Sequence, residues 1–260
     1  MKQLIVNADD FGFTRDVNAG IVECHRNGIL TAATLMANGP AFDDAVRLSR
    51  ENPNLDIGCH LVLVGSPGFP ATLAHLAKAV YLGRIRIYDE LAKQVRIILH
   101  AGLHPTHLDT HKHTHLLPPV LDAVARISKE FAIPWVRRPF DFPVQAGGVG
   151  LGKRMIGRSL QLMRGRFQRV LAAHGCRTTD YFAGFRITGR YDAGELARLI
   201  GQLPDGTTEF MCHPGYCGAE LLAAPTRLKA SRERELEALT SGQVKAALER
   251  FNVRLTNYCS

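Results

Sequence analysis

Short apolar runs alternate with helical repeats along this chain, and that alternation constrains the fold more than any other feature. Leu4-Ile5-Val6 reads as a first, fully buried strand. Val17, Ile21 and Cys24 follow at helical spacing, with Gly28 placed to end the helix. Thr34-Leu35-Met36 reads as a second strand, Ala41 to Arg50 as a helix stopped before Asn52-Pro53, and Ile57 to Val64 as a third strand. After the loop chemistry of Gly65 to Pro70, the spacing predicts a helix over Tyr81–His100 and extended chain over Thr106–His111. A helix over Leu117–Phe131 and extended chain over Ile133–Arg137 follow. Residues 151–174 have amphipathic helical spacing, and a strand at Glu209–Cys212, a helix at Gln243–Phe251 and a short strand at Val253–Leu255 complete the pattern. Such alternation builds βα units around a mostly parallel sheet. The number of units fits a closed or distorted barrel better than an open sheet. The expectation is an α/β fold, a distorted (β/α) TIM-like barrel, with a single domain over residues 1–260.

The ionisable residues gather where these runs end. Asp9-Asp10 follow the first strand, and His60 lies in the third. His107, Asp109 and His111 follow Pro105, Arg137 closes Pro134-Trp135-Val136, and His213 follows Phe210-Met211-Cys212. In parallel α/β folds the carboxyl ends of strands form the active-site mouth. Five polar clusters at five strand ends therefore point to one common site.

Each cluster has a chemical reading and a plainer one. Successive strand residues face opposite ways, but a turn at the strand end can bring Asp9 and Asp10 into one pocket, one as metal ligand and the other as base. Otherwise Asp10 or Thr14 simply caps the helix that begins near Arg15. Five of the 11 histidines fall between positions 104 and 115, and as a strand His107, Asp109, His111, His113 and His115 would share a face. Neutral imidazole is a common metal ligand, and a nearby carboxylate can orient one; the plainer reading is a polar turn. His60, alone in an apolar strand, reads as a buried histidine bonded to backbone unless the other clusters need a third donor. One carboxylate and two imidazoles make a sensible catalytic metal site. His213, in a Pro-Gly turn, suits a general acid or a structural turn. Arg137-Arg138 can clamp a carboxylate, bind an anion, or lie on a surface loop.

These residues resemble the YdjC-like carbohydrate deacetylases, a family with chitooligosaccharide and hopanoid-associated branches. The likeness runs through Val6-Asn7-Ala8-Asp9-Asp10-Phe11-Gly12, Gly28-Ile29-Leu30-Thr31, Ile57-Gly58-Cys59-His60-Leu61, and His107 to His115, with a late His213-Pro214-Gly215. The resemblance implies a distorted (β/α) barrel that holds one divalent metal ion, Mg2+ or Zn2+, through Asp10, His60 and His111. It implies Asp9 as general base. A looser likeness to polysaccharide deacetylases implies that Arg137 orients the base and that His213 is the general acid. The implied reaction removes acetate from an N-acetylated sugar, an N-acetylglucosamine-type oligosaccharide or a glycolipid such as a hopanoid conjugate. A homodimer is also implied. Lys112 and the short loop after Val64 depart from the chitooligosaccharide branch and bear on substrate size.

Charge and composition narrow the rest. With 46% hydrophobic and 22% charged residues the chain is globular rather than disordered. Its 32 Lys and Arg against 24 Asp and Glu, a net charge of +8, lean toward an anionic partner or surface. Lys153, Arg154, Arg158, Arg164, Arg166 and Arg169 flank the apolar stripe of the 151–174 helix. Such a helix can lie on anionic lipid, although a helix covering the barrel is the commoner case. No nucleic-acid motif accompanies the charge. The N-terminus lacks a signal-peptide pattern, no stretch reaches membrane-span length, and six scattered cysteines form no C-x-x-C pair. The expectation is a cytoplasmic protein, peripheral to the inner membrane if the basic helix binds lipid. Two other readings compete: a metallo-phosphoesterase whose arginines hold phosphate, and a non-catalytic metal- or sugar-binding module of the same fold.

Overall fold

A computed structural model of the chain describes residues 1–142 and 163–259. Its centre is β1 (Lys2–Phe11), every residue of which is buried from Leu4 onward. That is the signature of a parallel strand covered on both faces. The other strands are β2 (Ala32–Leu35), β3 (Asp56–Leu61), β4 (His107–Thr110), β5 (Trp135–Val136), β6 (Tyr181–Ala183), β7 (Gly206–Cys212) and β8 (Val253–Leu255). They form one parallel sheet in the order β5-β4-β3-β2-β1-β7-β6, with β8 beside the first residues of β1. The two edges meet through isolated bridges, Trp135 to Arg177 and Asp141 to Phe182. The Val136 N–H donates to Arg177 O, and the Phe142 N–H to Phe182 O, both at 2.9 Å. Bridges in place of a full ladder along this seam make the barrel distorted.

Helices fill the crossovers. α1 (Arg15–Asn27) starts at Thr14, whose hydroxyl accepts from the Val17 N–H, and buries Val17, Ile21 and Cys24 on one face. α2 (Phe42–Glu51) precedes β3, and α3 (Leu73–Tyr81) and α4 (Ile87–His100) precede β4. α5 (Pro118–Glu130) packs Val120, Leu121, Val124 and Ile127 inward. A helix over 163–173 (α6) precedes β6. α7 (Ala193–Gly201) joins β6 to β7, and α8 (Ala219–Ala223), α9 (Ala230–Thr240) and α10 (Gly242–Arg250) lead to β8. Cys59 and Cys212 are buried free thiols, as small hydrophobes in strands.

Several elements differ from the sequence expectation. The helix expected over Tyr81–His100 begins only at Ile87, as α4; a turn through Gly83 (φ +66°) separates it from α3, which the sequence reading does not anticipate. The third strand stops at Leu61 rather than Val64. β4 stops at Thr110, and the chain turns through a 3-10 segment, His111–Leu116, with Lys112 and His113 both at φ +53°. Of the helix expected at 151–174, positions 151–162 lie outside the described residues, and 163–173 are helical. No described helix is long and apolar enough to cross a membrane.

Candidate metal centre and active site

The site begins where β1 stops being regular. Asp10 has φ +69°, and the register to β2 shifts between Ala8 and Phe11. Asp is among the few residues that tolerate this left-handed geometry. The Gly12 N–H donates to Asn18 Oδ1 at 2.7 Å, which holds the turn against α1. In a regular strand the two carboxylates would point apart; here both line one cavity. The capping alternative falls to Thr14.

Asp10 Oδ1 lies 3.4 Å from His60 Nε2 and 3.2 Å from His111 Nδ1. The two imidazole nitrogens are 3.2 Å apart. No N–H or O–H donor satisfies Asp10 Oδ1, although it is buried. Its partner oxygen, Oδ2, accepts from Arg232 Nη2 at 2.5 Å. Ligand atoms bonded at about 2.0–2.1 Å to a tetrahedral cation stand about 3.3–3.4 Å from one another. The triangle of one carboxylate oxygen and two nitrogens therefore fits a small divalent ion, and the unsatisfied oxygen points into it.

Besides Asp10, held by Arg232, His60 is held from behind. His60 Nδ1 meets Asp109 Oδ1 at 2.7 Å, and the Thr34 hydroxyl donates to Asp109 Oδ2 at 3.1 Å. The expected backbone partner for a buried His60 is thus replaced by a carboxylate, which leaves Nε2 facing Asp10. Burial works to lower the proton affinity of His60, but Asp109, with Asp10 and Asp9, pushes its pKa up to about 10. His111 follows β4 and is half-buried, on the wall of a cavity of about 510 Å³.

Asp9 faces the other way, onto Arg137. The guanidinium donates Nη2 to Oδ1 at 2.6 Å and Nη1 to Oδ2 at 2.8 Å. It also meets Asp109 Oδ2 at 2.6 Å and, through Nε, Glu209 Oε1 at 2.7 Å. Burial alone would raise the Asp9 pKa; Arg137 beside it holds the carboxyl well below the usual range. Arg137 is itself buried, not on a surface loop, and its nitrogens are spent on carboxylates. A second set of close donors, Asp9, His60 and Asp109, also exists. Both of its acids are bound to Arg137, so a guanidinium already supplies their counter-charge.

His213 follows β7 with Nε2 at 3.8 Å from Asp9 Oδ2. Its backbone N–H donates to Glu235 Oε2 at 2.6 Å, and its Nδ1 has no partner. Burial lowers its pKa, with Asp9 and Glu235 opposing. Gly215 seats this turn against α1: a Cβ on Gly20 would stand 2.5 Å from Gly215 Cα.

The remaining histidines of the rich segment do not share a face with His111, because β4 ends first. His107 points into the barrel, stacks on Tyr258 at 3.9 Å and meets Asn7 Oδ1 at 3.3 Å. His113 packs between Phe182 and Phe185 on the cavity wall. His115 meets the Thr110 hydroxyl at 2.5 Å and Arg137 O at 3.2 Å. His113 and His115 follow β4 in a turn, but both are buried, so neither a shared strand face nor a solubilising turn describes them.

Residues 3–250 match the model of the YdjC-like protein family. The chain belongs to that family. Among its relatives, a carbohydrate deacetylase of Brevibacillus brevis is 33% identical, with 98% of each chain covered. A carbohydrate deacetylase of Thermoanaerobacter pseudethanolicus is 31% identical, with 99% of this chain and 98% of the relative covered. A solved structure, a putative cellobiose-phosphate cleavage protein from Enterococcus faecalis, superposes with a TM-score of 0.77 at 25% identity, covering 99% of this chain and 97% of that one.

This YdjC-like chain also uses residues that sequence reasoning missed. Arg232 on Asp10 and Glu235 on His213 both come from α9. They are three apart and share a face, but in Arg232-Glu233-Arg234-Glu235 they look like any solvated charged helix. Glu209, inside β7, gave its only signal as an acid within an apolar run.

Proposed function

We propose that this chain is a metal-dependent carbohydrate deacetylase, a hydrolase that cleaves the amide bond of an N-acetylated sugar. The observation that carries the reading is the open triangle of Asp10, His60 and His111 beside an Asp9 clamped by Arg137. The names of the relatives, carbohydrate deacetylases, supply a carbohydrate as the substrate class; an N-acetylglucosamine-type oligosaccharide or a glycolipid comes from the family resemblance. Asp10, His60 and His111 would hold a divalent ion, Zn2+ or Mg2+, which would supply Lewis-acid polarisation of the acetyl carbonyl and acidify water.

The chain's own residues do the rest. Arg137 keeps Asp9 ionised and in one orientation. A carboxylate paired so tightly is a weak base, so it can take a proton only from a water made more acidic than bulk. His213, on the same cavity wall, gives a proton to the departing sugar nitrogen and regains one from Asp9, whose Oδ2 lies 3.8 Å from its Nε2. Asp109 and Thr34 fix the His60 ring, and Glu235 fixes the His213 backbone. Acetate and a free amine leave.

Of the arginines that the phosphoesterase alternative needs to hold phosphate, Arg137 sits behind Asp9, bound to three carboxylates. The non-catalytic alternative fits poorly with Asp9, Asp10, His60, His111 and His213 all present in one cluster. Homodimer formation and a place in the cytoplasm, with contact to anionic membrane through the basic 151–174 region, rest on the sequence and the family resemblance.

The test is acetate release from N,N′-diacetylchitobiose and from N-acetylglucosaminyl glycolipid, with and without chelator. The reading expects release that a chelator abolishes and Zn2+ or Mg2+ restores. Metal-loaded protein that releases no acetate from either class, or full release after chelation, defeats it.

A further inference from the structure

Arg232 is among the most deeply buried side chains of the protein, 1% exposed, although it carries a full charge. Its Nη2 donates to Asp10 Oδ2, and its Nε donates to Leu228 O at 3.3 Å. Its Nη1 is buried and has no partner. Leaving a buried donor unpaired costs about 1–3 kcal/mol, and more when it is charged, and native interiors rarely tolerate it. The same side chain forms part of the wall of the 510 Å³ cavity, between Asp10, Phe13 and Leu228.

Two unsatisfied atoms therefore stand one ion pair apart at the cavity. Asp10 Oδ1 is an acceptor, and Arg232 Nη1 is a donor. A cation meets the need of the first and repels the second. Nη1 lacks an acceptor oxygen, and no protein atom among the described residues supplies one. Phe13, with its ring centre 5.9 Å from the Arg232 Cζ, offers no acceptor.

We propose that Arg232 is a substrate-contacting residue, in which Nη2 keeps one Asp10 oxygen turned outward while Nη1 donates to a carbonyl or hydroxyl oxygen of the bound substrate. This rests on the deacetylase reading, under which the substrate is an N-acetylated sugar, a molecule dense in such oxygens. Doing both at once needs the planar fork of a guanidinium, whereas the Asp10 contact alone can be kept by an ammonium. A lysine ammonium keeps the charge but has one nitrogen and cannot span two oxygens in that geometry.

The experiment uses Arg232→Lys, with N,N′-diacetylchitobiose as probe and two readouts: Zn2+ affinity by calorimetry, and kcat/KM for acetate release. Expected are a Zn2+ Kd within about threefold of the parent and a kcat/KM reduced about tenfold or more. Unchanged kcat/KM overturns the proposal. Equal loss of Zn2+ affinity and activity overturns it too, since Arg232 then acts only through Asp10. A parent protein that takes up Zn2+ but releases no acetate strikes the deacetylase reading instead. If the variant fails to fold, the guanidinium NMR signals of the metal-loaded Asp9→Asn protein decide the question. Added N,N′-diacetylchitobiose, which keeps its acetyl carbonyls and turns over slowly there, should shift the Arg232 Nη protons; if other cavity residues shift and these do not, the contact does not exist.

Discussion

Arg137 grips both oxygens of Asp9 with its two terminal nitrogens, at 2.6 and 2.8 Å, and the same guanidinium reaches Asp109 and Glu209. Asp109 in turn holds His60. One buried cation thus ties the proposed base to the support of a proposed metal ligand. Disturbing it should disturb both, whereas neutralising Asp9 alone should not.

Asp9→Asn keeps the size of the side chain and removes the proton acceptor. General acid–base groups contribute about 10²- to 10⁴-fold, so kcat should fall in that range while bound metal, measured by elemental analysis, stays at the parental level. Arg137→Lys loses the two-pronged contact and should lower both kcat and metal affinity. An Asp9→Asn protein of parental rate removes Asp9 from the mechanism.

His111→Ala deletes one corner of the triangle without touching the barrel interior, since His111 lies past the end of β4 and is half-buried. Metal content and acetate release should vanish together, and added Zn2+ should no longer raise the melting temperature. A variant that still gains stability from Zn2+ would show that the ion binds elsewhere.

The sequence showed the strand ends well because they combine two unlike signals: β-branched apolar runs and ionisable residues immediately after them. Asp9, Asp10, His60, His111, Arg137 and His213 are all brought to one cluster. What stayed hidden was backbone direction. Left-handed φ at Asp10, Lys112 and His113 decides which neighbours face the cavity, and nothing in the residue types announces it except a tolerance in Asp and His. The three-residue β6 has too few positions to show a period, and α9 alternates acid and base so that its two inward charges resemble the outward ones. Arg232 and Glu235 become visible only when α9 is packed.

The buried acid Glu209 sets a pH dependence. Burial raises its pKa above the ordinary 4.5, with Arg137 opposing. The fold therefore favours the protonated acid. That contribution is fully present below about pH 4.5 and is lost as pH rises through the folded-state value. Glu209→Gln can still accept from Arg137 Nε but does not titrate. The stability of the variant relative to the parent should therefore improve as pH rises from 4 to 7, followed by urea unfolding at each pH. Parallel curves would mean that Glu209 is ionised in the fold at no cost.

The contact between α1 and the turn after His213 offers a way to move the proposed acid without touching a charged group. Gly20 has no room for a methyl: its Cβ would meet Gly215 at 2.5 Å from Cα and 2.9 Å from both the carbonyl carbon and the nitrogen. These are backbone atoms, so relief requires the helix or the turn to shift. Overpacking of this kind costs about 1–3 kcal/mol, and for a chain of this size that lowers the melting temperature by roughly 2–4 °C per kcal/mol. The triangle is built on β1, β3 and the segment after β4, and this contact reaches it only through Arg232, whose O accepts from the Gly215 N–H at 3.3 Å and whose Nη2 pairs with Asp10, so Zn2+ affinity in Gly20→Ala should fall less than kcat. His213 sits two residues before Gly215, and displacing it by a fraction of an ångström should reduce kcat by about tenfold or more, with KM little changed. A Gly20→Ala protein that is less stable yet turns over at the parental rate would show that the placement of His213 does not govern the chemical step.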